Sequence, residues 1–161
     1  MMEEIQINRN LNKEEKYIEL TKQIKSLIEG EEDHIANLSN ISAAISETHK
    51  FLCTGFYIVN GNELVLGPFQ VPVACTRIAF GKGVCGSSWK DKKSIIVKDV
   101  NAFPGHIACS SKSKSEIVIP IFCNGNVYGV LDIDDSEYAT FDKTDHKYLK
   151  KIVRLFEEKL G

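Results

Sequence analysis

The sequence is short of several residue types, and each shortage closes off a class of protein. One tryptophan, two methionines and four prolines occur among 161 residues, with no low-complexity tract, internal repeat or obvious linker. No apolar run approaches the ~20 residues that a transmembrane helix requires. Neither sign of charge is in excess: 20 basic residues face 22 acidic ones, for a formal net charge of −2. That balance excludes a general pull toward nucleic acid or an anionic membrane surface. No Cys-x-x-Cys pair is present, which disfavours a zinc ribbon or a thioredoxin-type motif. The first ten residues, MMEEIQINRN, are polar and acidic. They read as neither a secretory nor a mitochondrial signal, so a cytoplasmic location is expected.

What is there is an ordinary globular composition, 43% hydrophobic and 26% charged. It suffices for one domain over 1–161 that buries about 70% of its unfolded surface. Residues 1–50 read as helices. Tyr17, Leu20, Ile24, Leu27 and Ile28 recur at spacings of three and four, Asn12 and Glu15 make a capping-box pattern, and Gly30 is a natural stop. Ile35, Leu38, Ile41 and Ile45 mark the apolar side of a second helix. Residues 51–160 hold a sheet, its loops and a final helix. Strands are expected in FLCTGFYIV, ELVLG, VACTRIAF, SIIVKDV, SEIVIPIFC and VYGVLDID. GKGVCGSSW and VNAFPGHIACSSKSKS read as loops. Asp142 caps the closing helix, whose Tyr148, Leu149, Ile152, Phe156 and Leu160 face inward. The pattern is that of an α+β domain, with a central antiparallel sheet of about six strands flanked by N-terminal and C-terminal helices.

The last hairpin decides where three acids point. Ile117, Ile119, Ile121 and Cys123 alternate onto one face of its first strand, and Val127, Gly129, Leu131 and Ile133 share a face of the second. A three-residue turn through Asn124-Gly125-Asn126, with Cys123 opposite Val127, makes the two apolar sets coincide. Glu116 then lies opposite Asp134, and Val118 opposite Asp132. Glu116, Asp132 and Asp134 gather on one side of the sheet. Three carboxylates that close repel one another, and at least one resists ionisation. The plainer alternative is a solvated outer face at the end of a hairpin.

Five cysteines are many for such a chain in a reducing compartment, where they act as core fillers, metal ligands or redox groups. Cys53 and Cys123 sit in apolar strands and read as small buried hydrophobes. Cys75, in the strand after Pro72, reads the same way taken alone. Cys85 and Cys109 lie in loops. Glycines surround Cys85 where a helix can begin, and free backbone N–H groups there lower a thiol pKa or bind an anion. Lys112 and Lys114 follow Cys109 and favour its thiolate, the nucleophilic form. His106 is either a candidate base or a hydrogen-bonding surface residue. The four histidines show no Ser-His-Asp or metal-ligand spacing, and no metal is expected.

Between Gly67 and Asp134 the chain carries GPFQ, VACTRI, GKGVCG, the aspartate of VKDV, FPGHIACSSKSKSEIVIPI and GVLDID. Together these resemble the free methionine-(R)-sulfoxide reductases, small enzymes built on a GAF domain. TGFY at Thr54 to Tyr57 and the final helix extend the likeness over about Phe51 to Phe156. Three cysteines at matching spacing, with GHIAC, SEIV and GVLDID, make it specific. The resemblance implies a nucleophile at Cys109, a resolving cysteine at Cys75 and an assisting one at Cys85. It also implies substrate-binding acids at Glu116, Asp132 and Asp134 and an aromatic pocket residue at Tyr57. One departure stands out: Cys53 occupies the position, two residues before GFY, where related sequences have tryptophan. Cys53 therefore faces either the pocket or the core.

The implied activity is reduction of free L-methionine-(R)-S-oxide to L-methionine through a cysteine sulfenic acid and an intramolecular disulfide. No bound cofactor is implied, and thioredoxin, linked to NADPH, is the external reductant. The Cys109 loop is expected to differ between the reduced and oxidised forms. Free methionine sulfoxide and thioredoxin are the partners that follow, with neither nucleic acid nor membrane. The amphipathic N-terminal helices offer either a homodimer surface or a face for packing on the sheet. Two other classes share the fold: a GAF module that senses a small ligand without catalysis, and a thiol redox switch that forms a disulfide without turnover.

Overall fold

The computed structural model describes residues 4–161; the first three residues of the N-terminal stretch read for targeting signals lie outside the described residues. Two helices come first, α1 (Lys13–Ile28) and α2 (His34–His49). Asn12 and Glu15 close a capping box at the start of α1, as their spacing predicts. Leu38, Ile41 and Ile45 are buried on α2, but Ile35 is 68% exposed. It sits in the first turn of that helix, where the apolar stripe has not yet reached the sheet.

The strands are β1 (Cys53–Asn60), β2 (Glu63–Gln70), β3 (Arg77–Ala79), β4 (Ile95–Val97), β5 (Ser115–Cys123) and β6 (Asn126–Asp135). They form one sheet in the order β3-β2-β1-β6-β5-β4, with every neighbouring pair antiparallel. Period-two alternation divides their side chains between two faces. Phe56, Ile117, Ile119, Leu131 and Ile133 pack against α1, α2 and the C-terminal helix α4 (Lys143–Glu157), in a core with Tyr17, Leu20, Ile45, Leu149 and Phe156. Tyr57, Leu64, Val118 and Val130 belong to a smaller cluster on the other side. There they meet Val84 and Cys85 of α3 (Gly83–Asp91).

Several expected elements are revised. VACTRIAF forms a strand only at Arg77–Ala79, because Pro72 brings no N–H to a ladder and Val71 and Val73 are left exposed. Cys75 therefore lies in a loop. GKGVCGSSW is α3, which begins right at the glycine-rich segment, so Cys85 is in the first turn of a helix. SIIVKDV contributes only Ile95–Val97 before Asp99 caps a short 3-10 turn, Val100–Ala102. Cys123 is half-buried at the end of β5, beside the Leu160 carbonyl.

The β5–β6 hairpin turns in two residues, not three. Asn124 and Gly125 have φ of 51° and 80°, the conformation a tight Asn-Gly turn needs, and Cys123 pairs with Asn126. A bulge absorbs the discrepancy. Ile121 pairs with Gly129 but Phe122 with Val127, so Tyr128 is the extra residue. Past the bulge the register is the one the apolar pattern requires, with Glu116 opposite Asp134 and Val118 opposite Asp132.

Helix α4 is tied to α1 by a buried carboxylate. Asp145 has no exposed surface. It accepts from Tyr17 Oη at 2.7 Å, from Lys13 Nζ at 2.6 Å and from the Asp142 backbone N–H at 2.8 Å. Among the described residues no helix is long and apolar enough to cross a membrane. Removing one donor from a buried charged group costs about 1.5–3 kcal/mol. Tyr17→Phe should lower unfolding stability by about that amount in urea titrations, with an unchanged denaturant slope.

Candidate active site

The acids lie on the sheet face that looks away from the larger core. Across β1 and β6, Cys53 pairs with Asp134, Gly55 with Asp132 and Tyr57 with Val130. Glu116 joins them from β5. Cys53, Tyr57, Glu116, Asp132 and Asp134 all line one cavity with residues of α3 and of the two cysteine loops. Glu116 and Asp132 are each only 6% exposed, so the acids are not on a solvated outer face. The cavity measures about 30 Å³, room for one or two waters.

Two glycines let the walls close in. The Phe69 ring lies over Gly55 where a Cβ would stand, next to a register shift between Gly55 and Tyr57. Gly83 opens α3 at φ 60°, and a Cβ there would come to 3.1 Å from the Ile107 side chain. Ile107 belongs to the loop that carries His106 and Cys109. A short backbone bond from Cys109 N–H to the Ile107 carbonyl turns that loop.

Burial sets the protonation of the cluster. It pushes Glu116 well above the ordinary carboxyl range, with Asp132 and Asp134 adding like-charge repulsion. Asp134 is likewise pushed well up by burial and by Asp132, while a hydrogen bond from Cys53 works the other way. Asp132 is raised by burial, opposed by hydrogen bonds from Glu116 and Cys85. One buried oxygen of each aspartate, Asp132 Oδ1 and Asp134 Oδ1, has no hydrogen-bond partner among the described residues. Unpartnered acceptors of this kind are costly unless a ligand satisfies them.

The structure joins Cys75 to Cys109 by a disulfide, with Cα atoms 5.4 Å apart. Both cysteines are half-buried. Tyr57 Oη donates to the Cys75 carbonyl at 2.9 Å, so this ring anchors the Cys75 loop as well as lining the cavity. Cys85 is a free, buried thiol with Sγ 3.9 Å from Glu116 Oε1. Burial, then Asp132 and Glu116, pushes its thiol well up. The low thiol pKa expected from its position at a helix start is thus overridden by its acidic neighbours. Cys53 faces the cavity, with Sγ 3.3 Å from Asp134 Oδ2.

His106 also lines the cavity, its Nε2 3.9 Å from Glu116 Oε2. Burial lowers its pKa, against an opposing pull from Asp132. Neither Lys112 nor Lys114 reaches the cavity wall, and the Lys114 ammonium lies over the Tyr138 ring instead. The lysine at the wall is Lys82, the residue that precedes α3. Sequence reasoning missed Ser113, whose buried Oγ has no partner among the described residues. Nothing in the run SSKSKS distinguishes it from its neighbours. Cys85 Sγ and single oxygens of Glu116 and Asp132 lie within 4.8 Å of one another.

Comparison with known proteins gives a consistent neighbourhood. The GAF domain family matches residues 38–157. The chain is 52% identical over 158 residues to GAF domain-containing protein A of Dictyostelium discoideum, covering 98% of this chain and 99% of that one. It is 44% identical over 163 residues to the free methionine-R-sulfoxide reductase of Saccharomyces cerevisiae, covering 96% of this chain and 91% of the relative. The X-ray structure of free methionine-R-sulfoxide reductase from Neisseria meningitidis in complex with its substrate superposes with a TM-score of 0.96. Its identity is 44%, and the match covers 99% of this chain and 96% of that one.

The acid cluster has a stability cost that depends on pH. Glu116 is raised above its ordinary value of 4.5. Its stabilising contribution is therefore fully present below that value and is lost as pH rises through the raised one. Glu116→Gln should be more stable than the parent at pH 8, and the gap should shrink toward pH 4. Parallel urea titrations of both proteins across that range measure it.

Proposed function

The chain belongs to the GAF-domain family and, within it, to the free methionine-R-sulfoxide reductases, and from that membership we propose how its pocket reduces free methionine-R-sulfoxide. It is an enzyme of this kind. One observation carries the assignment of residues: Cys109, bridged to Cys75, lines the same cavity as Glu116, Asp132 and Asp134, and each of the two aspartates has an unpartnered buried oxygen.

The substrate is a zwitterion, and the pocket offers a counterpart to each charge. Asp132 is raised less than Glu116 and Asp134, and its free Oδ1 accepts the α-ammonium. Helix α3 starts at Gly83 with no side-chain cap from Lys82, and Gly83 and Val84 line the cavity. Their open backbone N–H groups take the α-carboxylate. A methionine sulfoxide within a polypeptide has neither free charge. It would leave both sets of buried polar groups unpaired, so selection for the free amino acid follows.

In the reduced enzyme the Cys109 thiolate attacks the sulfoxide sulfur. Glu116 and Asp134, held protonated by burial, supply the proton that the oxygen needs. In the resulting adduct the protonated oxygen passes from the substrate sulfur to the Cys109 sulfur. The substrate S–O bond and the transient S–S bond break, a Cys109 S–O bond forms, and Cys109 is left as a sulfenic acid. Methionine leaves reduced by two electrons, and Cys109 is oxidised by two. Cys75 then attacks the Cys109 sulfur, the S–S bond forms, and the oxygen departs as water with the Cys75 proton. An external dithiol, thioredoxin, returns both cysteines to thiols and becomes a disulfide itself. The electrons balance without a bound cofactor. Cys85, buried and protonated beside Glu116, assists as a hydrogen-bond donor or as a second resolving thiol.

In this cycle the bridged state is the product side, and its cavity of about 30 Å³ holds only one or two waters. Reduction of the disulfide frees the loop from Phe103 to Ser113 to open for the next substrate. Amide hydrogen exchange in this loop should be faster in the reduced protein than in the oxidised one, and equal protection would count against the cycle.

Activity separates the roles. Cys109→Ser should abolish turnover of free methionine-R-sulfoxide in a thioredoxin-coupled NADPH assay. Cys75→Ser should yield about one methionine per enzyme and then stall, whereas an unchanged steady-state rate would make Cys85 the resolving thiol. N-acetylmethionine sulfoxide should be turned over at least about a hundredfold less efficiently, the loss expected when buried charged groups stay unpaired. Ligand binding without turnover would move the reading to a sensor, and a disulfide without turnover to a redox switch.

A further inference from the structure

Cys53 is the one thiol in the cavity that the reaction cycle leaves unused. It is 4% exposed and unbridged. Burial, then Asp134 and Asp132, pushes its thiol far up, so it stays S–H at neutral pH and is no nucleophile. Its geometry gives it another role. Cys53 and Asp134 are direct cross-strand partners of β1 and β6, and the Cys53 thiol donates to Asp134 Oδ2 at 3.3 Å. The other oxygen, Asp134 Oδ1, is buried and has no partner among the described residues. So is Oδ1 of Asp132, itself almost fully buried in the same wall.

An aspartate carboxyl has a broad, roughly two-fold torsion, and without a fixed partner its two oxygens exchange places. A thiol donor is met best by the carbonyl oxygen of the carboxyl, the better acceptor, which favours the acid proton on the opposite oxygen. We propose that Cys53 is a positioning residue: its S–H bond to Oδ2 of Asp134 turns Oδ1 of that carboxyl into the cavity, toward the sulfoxide oxygen of the proposed substrate. This rests on the reductase reading above. A thiol suits the task because it is a weak donor. It orients the carboxyl without the strong stabilisation of the anion that an ammonium or guanidinium would bring.

The test compares the full-length protein with Cys53→Ala and Cys53→Ser. Loss of one hydrogen bond that orients the proton donor corresponds to a fall in kcat of between about three- and tenfold. That fall is expected in Cys53→Ala with KM little changed, and Cys53→Ser, which keeps a donor, should recover most of it. An unchanged kcat in Cys53→Ala, or a loss confined to KM, overturns the proposal.

A second measurement needs no turnover. In the oxidised protein, the S–H stretch of Cys53 is assigned by its disappearance from the Raman spectrum of Cys53→Ser. It should sit at the lower frequency of a bonded thiol and rise in Asp134→Ala. A band that does not move overturns the proposal even if Cys53→Ala fails to fold. Absence of sulfoxide reduction by the parent protein would instead defeat the reductase reading, while the band shift would still decide the Cys53–Asp134 bond.

Discussion

Burying three carboxyl groups side by side on one sheet face is the constraint around which this protein is arranged. Glu116, Asp132 and Asp134 come from the two longest strands, whose pairing is held by the inner core of Ile117, Ile119, Leu131 and Ile133 on the reverse face. Apolar burial on one side thus holds like charges together on the other, and the acids respond by keeping protons. In the proposed reaction those retained protons go to the departing sulfoxide oxygen. The unpartnered oxygens Asp132 Oδ1 and Asp134 Oδ1 are what a bound ammonium and sulfoxide would satisfy.

The cysteines take their chemistry from the same cluster. Cys53 and Cys85 flank the acids and are held as thiols chiefly by burial beside them. Cys75 and Cys109 stand in loops at the cavity and are bridged. In the proposed cycle the redox work falls to the bridged pair, with Cys53 and Cys85 beside the acids as thiols. Tyr57 connects the two sets, lining the cavity with its ring and holding the Cys75 carbonyl with its hydroxyl.

Where local rules and burial disagreed, the structure found a compromise. The Asn124-Gly125 pair demands a two-residue turn, whereas the apolar residues of β5 and β6 demand a register one residue away. The bulge at Tyr128 meets both. No periodicity argument locates a bulge, because it depends on which of two local preferences the core can accommodate. The same limit explains α3: the sequence GKGVCGSSW has glycines at its start and a weak apolar pattern, and it is helical because its Val84 and Cys85 cover Tyr57, Val118 and Val130. Ser113 was illegible for a similar reason, since only the folding of its loop onto the acids makes that serine differ from its neighbours.

Chain order and alternation alone determined that the fold is an antiparallel sheet with helices before and after it, and that Glu116, Asp132 and Asp134 share a face. Side-chain period in a strand is a local property, so it can be read without knowing what lies opposite. The family resemblance carried the pairing of Cys75 with Cys109, and spacing did not. Only the tertiary structure decided that the acid face is buried instead of solvated, that Cys53 looks into the cavity, and that Lys112 and Lys114 do not. Each of those depends on α3 and two loops returning from distant sequence to cover the sheet, and burial, unlike periodicity, is set by the whole chain at once.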